Sequence, residues 1–206
     1  MTIDIAEFVS AWGAAGFGQP GLPPWVVTAQ AATLIAAALS KLDGDYRITG
    51  EQAIHTTAIV EPGATLKGPL IIGPRVLVAA GAYLRGGVFL AADCVVGPAC
   101  EVKSSFLFAG AKIAHLSFVG DSILGARVNV EAGAIIANYR NELDDKRVRI
   151  RHGGGIIDTG CDKFGALVGD DARIGANAVI APGALIARGF RVPRLGLVDQ
   201  HPDFRG

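Results

Sequence analysis

The chain has 206 residues, half of them hydrophobic, and its 19 Lys and Arg balance 19 Asp and Glu to leave no formal net charge. That balance argues against nucleic-acid binding through a broad basic field, and the length suits one compact unit with an added segment rather than two large domains. Three cysteines offer no disulfide framework and point to a reduced, cytoplasmic setting.

Residues 1–50 read as a helical arm. A short helix is expected from Asp4 to Trp12, then a Gly/Pro break through Pro24, then a longer helix to about Leu42 with Pro24 in its first turn. The longer helix is Ala-rich and apolar on most faces, so it should be buried against the rest of the chain or another subunit. Thr28, Gln30, Thr33, Ser40 and Lys41 interrupt it, which makes it a poor membrane span. Asp4 and Glu7 in the first apolar stretch, with no basic residues ahead of them, argue against a secretory signal.

From residue 51 a period of six takes over. Ile54, Val60, Leu66, Ile72, Val78, Leu84, Leu90, Val96, Val102 and Phe108 stand at six-residue intervals, and Val168, Ile174, Ile180, Ile186 and Val192 resume the pattern. Four places after many of them comes a small or apolar residue, as at Ala58, Ala64, Ala82, Cys94, Cys100, Ala172 and Ala178, with Pro or Gly often between. One short strand and one turn per six residues build a solenoid whose marked positions all point inward. The solenoid is expected over 51–193, with an extruded loop at 137–167 and a tail at 194–206. In the loop, Arg147 to Ile150, three glycines and Ile156-Ile157 predict a small hairpin. Between Phe108 and Leu124 sixteen residues replace eighteen, which marks Lys112 to Asp121 as a distorted coil and a candidate site.

The repeat resembles the hexapeptide-repeat family, whose fold is an all-β solenoid, a left-handed parallel β-helix with three units per coil. Eighteen residues then make one coil, so Lys67, Arg85 and Lys103 stack as a ladder. Stacked cations repel by about 1–3 kcal/mol, depending on burial. Such a ladder either splays as a solvated stripe or holds an anion. His115, two repeats after Lys103, belongs to another side of the triangle.

The resemblance becomes specific in Glu101-Val102-Lys103, Ala114-His115-Leu116-Ser117-Phe118-Val119-Gly120-Asp121, Val128 through Tyr139, and Asp158-Thr159-Gly160 with Lys163-Phe164-Gly165. These are similar to the acetyltransferase domain of the bifunctional glucosamine-1-phosphate acetyltransferase/uridyltransferases and of archaeal-type sugar-1-phosphate nucleotidylyltransferases, without the nucleotidylyltransferase domain. The likeness implies an acetyl-CoA-dependent N-acyltransferase acting on an amino-sugar phosphate or nucleotide-linked amino sugar, as a homotrimer whose sites lie between neighbouring chains. His115 would be the general base. Arg85 and Lys103 would hold the phosphate, and Asn129 and Lys163 the sugar phosphate; Ala132, Asn138 and Tyr139 would contact acetyl-CoA. Phe118 stands where the family has Tyr, and Glu131 where it favours Gly. Arg147, Arg149 and Arg151 either meet the CoA phosphates or form a solvated hairpin edge. The competing reading is a non-catalytic sugar-phosphate or nucleotide-binding module on the same scaffold. A metal enzyme of the γ-class carbonic anhydrase type needs three converging His ligands, and His55, His115, His152 and His201 are too scattered; no metal is expected.

Overall fold

The computed structural model describes residues 3–17, 21–42 and 44–204. The chain winds into a parallel β-solenoid in which each coil contributes one short strand to each of three sides. On the first side the inward column runs Ile54, Ile72, Leu90, Leu107, Leu124, Val168 and Ile186. The second side carries Val60, Val78, Val96, Ile113, Val130, Ile174 and Val192 in a seven-stranded sheet. The third carries Leu66, Leu84, Val102, Val119, Ile136, Ile180 and Val198. With the small residues Cys94, Cys100, Ala172 and Ala178, also buried, they form one continuous core. Each inward Val, Leu or Ile contributes about 1.5–3 kcal/mol by leaving water.

The inward residue after Val102 is Leu107, not Phe108 as the unbroken period predicts. Phe108 instead lies 3% exposed in a second cluster outside the solenoid, beside Phe89 and Trp12. The reason lies at one corner. Passing from the third side to the first takes six residues from Leu84 to Leu90, but only five from Val102 to Leu107 and again from Val119 to Leu124. Shortening forces a left-handed backbone at Ser104 (φ 48) and Asp121 (φ 44), stacked on Gly86 (φ 72), where no strain arises. At the same corner of the next coil, 32 residues run from Ile136 to Val168. Both irregularities of the repeat therefore fall on one edge of the prism, and the distorted segments are Lys103–Ser105 and Gly120–Ser122 rather than the whole of Lys112 to Asp121.

The arm covers the outer face of the first side. That face is itself apolar, carrying Ala53, Ile71, Phe106, Ile123, Leu167 and Leu185, all buried, against Val9, Trp25, Val27 and Ile35. The expected first helix is two short turns, Ile5–Phe8, capped by the Asp4 carboxylate on the Ala6 N–H at 2.9 Å, and Trp12–Ala15. Part of the expected Gly/Pro break, residues 18–20, lies outside the described residues. The longer helix is broken at Gln30 into Pro24–Ala29 and Ala31–Leu39. The arm also ends in a strand that the sequence did not announce: Tyr46–Thr49 pairs antiparallel with Gln52–His55.

The hairpin is present, Arg149–His152 against Gly155–Asp158, with Val148 and Ile150 buried beneath it. Its arginines are engaged locally. Arg147 meets Asp145 at 2.8 Å and Asp158 at 3.4 Å, Arg149 meets Asp145 at 3.2 Å, and Arg151 donates to the Pro202 carbonyl. The tail expected from 194 opens with one more strand, Leu197–Val198, paired with Val179–Ile180.

Candidate functional site

A cleft of about 450 Å³ opens at the irregular corner, lined by Arg85, Lys103, Phe118, Asn138, Tyr139 and Lys163. Strand register delivers these groups. Arg85 pairs with Lys103, and Lys103 with Gly120, across neighbouring coils of the third side. Asn138 and Tyr139 begin the extruded loop, and Lys163 comes from the far end of that loop, 25 residues after Asn138 in the chain. The loop thus brings its two ends together over the cationic ladder. Glycine is required at 120: a Cβ there would lie 2.7 Å from the Phe118 ring and 2.8 Å from Asn138, the two groups that wall the cleft on this side.

The ladder is not left bare. Arg85 donates from Nε to Glu101 Oε1 at 2.7 Å, and its guanidinium carbon lies 5.8 Å from the Tyr83 ring centroid. Lys67 Nζ sits over the same ring at 5.1 Å, which gives it a structural partner but no place in the cleft. Lys103 Nζ donates to both Asp121 oxygens, at 2.7 and 2.9 Å. Asp121, 5% exposed, also accepts from Asn138 Nδ2. Lys163 differs: among the described residues its exposed ammonium has no hydrogen-bond or ion-pair partner. The cleft therefore offers one free cation and two that are held in place by carboxylates.

His115, Asn129 and Ala132 are not in this cleft. His115 occupies the opposite corner, between the second and third sides, where its carbonyl accepts the Gly133 N–H at 2.8 Å and its exposed imidazole makes no hydrogen bond. Six residues, with the strand Phe118–Gly120 among them, carry the chain from it to Asp121, up to about 20 Å at roughly 3.3 Å per residue. Ala132 shares the corner with His115, and Asn129 faces outward from the second side between Lys112 and Arg173. Glu131 does not present a free charge there. Its carboxylate accepts from Arg194 at 3.0 and 3.2 Å and from the Ala176 N–H at 2.9 Å, which hold it below the usual carboxylate range.

Two residues to which the sequence reading assigned no role support the site. Asp121, the end of the candidate segment from Lys112, is one. Arg140, directly after Asn138-Tyr139, is the other: its side chain is 2% exposed and forms a two-pronged pair with Asp199, at 2.6 and 2.8 Å, with a further bond to the Pro182 carbonyl at 3.0 Å. The only signal available for Arg140 was its place at the start of the excursion.

His201 closes this region from the tail. It is 3% exposed, and its Nδ1 accepts the Asp203 N–H at 3.2 Å, so the proton sits on Nε2. Burial, then the nearby Arg140 guanidinium, push its pKa below 6.5. The unfolded chain therefore binds a proton that the folded one refuses, and this contribution to stability, complete above pH 6.5, declines as pH falls from there towards the lowered folded value. Thermal unfolding between pH 7.5 and 5.5 should show a fall in Tm that His201→Gln flattens; equal slopes in both proteins would remove His201 as the cause.

Residues 66–153 match the model of the GMPPB C-terminal domain. The chain is 36% identical over 154 residues to a bifunctional sugar-1-phosphate nucleotidylyltransferase/acetyltransferase of Sulfurisphaera tokodaii, covering 75% of this chain and 38% of that protein. It is 33% identical over 167 residues to the bifunctional protein GlmU of Methanococcus maripaludis, covering 81% and 40%. To the putative uncharacterized acetyltransferase YaiX of Escherichia coli it is 33% identical over 138 residues, covering 67% and 59%. The chain thus spans between about two fifths and three fifths of the length of these relatives. By its repeat and by these matches it resembles the hexapeptide-repeat acyltransferases, and among them the acetyltransferase part of the bifunctional sugar-phosphate enzymes.

Proposed function

We propose that this chain transfers the acetyl group of acetyl-CoA to the amine of an amino-sugar phosphate, glucosamine 1-phosphate in kind, or of a nucleotide-linked amino sugar. The observation that carries the reading is the third side of the prism, with Arg85, Lys103 and Lys163 gathered in one cleft at its first corner and an unengaged His115 at the other. Lys163 is free to take the phosphate first, and Arg85 and Lys103, each paired with a carboxylate, lie beside it to share the contact. An ammonium has no lone pair to attack a thioester, so the amine must give up a proton as the carbon–nitrogen bond forms. The imidazole of His115 accepts it, and the CoA thiolate leaves. Asn138 and Tyr139 contact the acyl donor on this reading, Ala132 lies near its path, and Asn129 steadies the sugar phosphate.

One chain holds His115 and the cations too far apart to act on a single molecule. The reading therefore requires a second copy, with His115 of one subunit facing the cleft of the next in a homotrimer. Exposed apolar groups on the third side and its corner favour that contact: Leu116 is 69% exposed, Leu195 79% and Leu197 53%. Three free cysteines suit the cytoplasm, where acetyl-CoA is at hand; Cys94 lies inside the solenoid, its thiol pushed up to about 12 by burial. Among the described residues no helix is long and apolar enough to cross a membrane.

The test is acetyl transfer from acetyl-CoA to glucosamine 1-phosphate and to related amines lacking the phosphate, followed by release of the free CoA thiol. Transfer that depends on the phosphate is expected. Calorimetric titration separates this from the binding-module reading: acetyl-CoA should bind in the micromolar range, whereas binding of the sugar phosphate without acetyl-CoA would favour the non-catalytic module.

A further inference from the structure

We infer that Asp121 is a positioning residue shared by the two halves of the cleft, one carboxylate fixing both the ammonium that meets the acceptor's phosphate and the amide that meets the acyl donor; this rests on the acetyl-transfer reading above. Its two oxygens hold Lys103 Nζ at 2.7 and 2.9 Å, and one of them also takes the Asn138 Nδ2 donor. Its backbone is committed as well. The Asp121 N–H donates to the Lys103 carbonyl at 2.8 Å, and its carbonyl accepts the Gly165 N–H at 2.9 Å, two residues beyond Lys163. Asp121 thus touches the ladder, the start of the extruded loop and its end.

The chemistry explains why a carboxylate is needed at this point. Lys103 has four rotatable side-chain bonds, and a bare ammonium on the ladder would move away from Arg85 into water. Held by a carboxylate that is itself 5% exposed, with its remaining N–H on the Ser104 hydroxyl at 3.3 Å, it keeps one position and meets a ligand by exchanging that long bond for a shorter one. The Asp121 oxygen that takes the Asn138 NH2 also decides which way the Asn138 carbonyl points, since the amide would otherwise turn about its last bond with little cost. Both Asp121 oxygens face the Lys103 ammonium, so an Asn at 121 would set its own NH2 against that ammonium whichever way it turned, donor against donor. Left-handed backbone at φ 44 is one that Asp tolerates well, so the tight corner itself does not require another residue.

The experiment uses the full chain and measures binding of acetyl-CoA and of glucosamine 1-phosphate separately by calorimetry, with circular dichroism and gel filtration confirming the fold. Lys103→Met should weaken only the sugar phosphate and Asn138→Ala only acetyl-CoA, whereas Asp121→Asn should weaken both by about tenfold, the scale of a lost charge-assisted hydrogen bond. A second variant guards against misfolding from an unpaired lysine. Lys103→Met combined with Asp121→Ala removes the ion pair as a unit, and acetyl-CoA binding should remain about tenfold weakened, because Asn138 then has no acceptor at 121. Normal acetyl-CoA binding by either Asp121 variant overturns the proposal and leaves the acetyl-transfer reading standing. If the unaltered protein binds neither ligand, that reading falls first and takes this one with it.

Discussion

His115→Ala is expected to lower acetyl transfer to an amino-sugar phosphate by roughly 10²- to 10⁴-fold, the usual weight of a general base, with little change in affinity for either substrate. The fold should not notice the change. The His115 imidazole is exposed and makes no hydrogen bond, and the bond that closes its corner, Gly133 N–H to the His115 carbonyl at 2.8 Å, is made by backbone alone. Surface replacements of this kind usually stay within about 0.5 kcal/mol. Loss of rate with an unmoved Tm is therefore the signature, and a variant with full activity would end the assignment of His115 as base. Mixing subunits tests the geometry as well. His115→Ala and Lys103→Met proteins, each inactive alone, should regain a fraction of activity when unfolded and refolded together, since some boundaries then carry an intact His facing an intact Lys. No recovery, with mixed assemblies shown to form, would place both groups' work within one chain and contradict their assignment to opposite corners of the third side.

The solenoid was legible because its signal repeats: each inward Val, Leu or Ile is a separate vote for the same period, and one misplaced vote, Phe108 for Leu107, did not disturb the result. The residues just before the inward ones held a second message that went unread. Ile71, Phe106, Ile123, Leu167 and Leu185 are apolar on the first side, where the arm covers them, while Lys112, Asn129, Arg173 and Arg191 stand in the same outward column of the second. That contrast marks the covered side over the later coils, from Lys112 onward; in the earlier ones Ile59, Leu77 and Val95 make the second column apolar too. The ladder of Arg85 and Lys103 followed from spacing, but Glu101, sixteen residues after Arg85, did not. Asp121 stands eighteen residues after Lys103, the next position of the same spacing, and it still reaches the ammonium although the short coil sets Gly120 opposite Lys103, so the period that predicted the cations also pointed to a partner that went unread. Lys163 and Asn138 came together for a different reason: their meeting depends on how a 32-residue excursion closes, and no period applies inside it.

What closes the excursion is Arg140, and Arg140→Ala should be the most destabilising single change discussed for this chain, at about 3–5 kcal/mol. The side chain is 2% exposed and its partner Asp199 10%, with the two joined by bonds of 2.6 and 2.8 Å. Burial opposes charge on Asp199, and the Arg140 bonds overcome it and hold its pKa below the usual range. Truncation would leave that carboxylate charged and buried with only the His201 N–H to answer it, and would strip the Pro182 carbonyl of its donor as well. Against a total stability on the order of 5–15 kcal/mol, such a loss is a large fraction. Lysine should recover only part, because one ammonium cannot reproduce a flat, two-pronged donor that also reaches a third oxygen. Replacing both partners by apolar residues, Arg140→Met with Asp199→Leu, should recover most of it, since no charge is then left without its counterpart. Urea unfolding read by circular dichroism ranks the four proteins, and a single-variant loss under about 1 kcal/mol would show the pair to be dispensable. The consequence extends to the cleft. Asn138 and Tyr139 precede Arg140 directly, and Asp199 also accepts the His201 N–H at 2.8 Å, so one guanidinium ties the start of the loop to the last coil and the tail. Weakening it should therefore lower the affinity for acetyl-CoA even at temperatures where the solenoid remains fully folded.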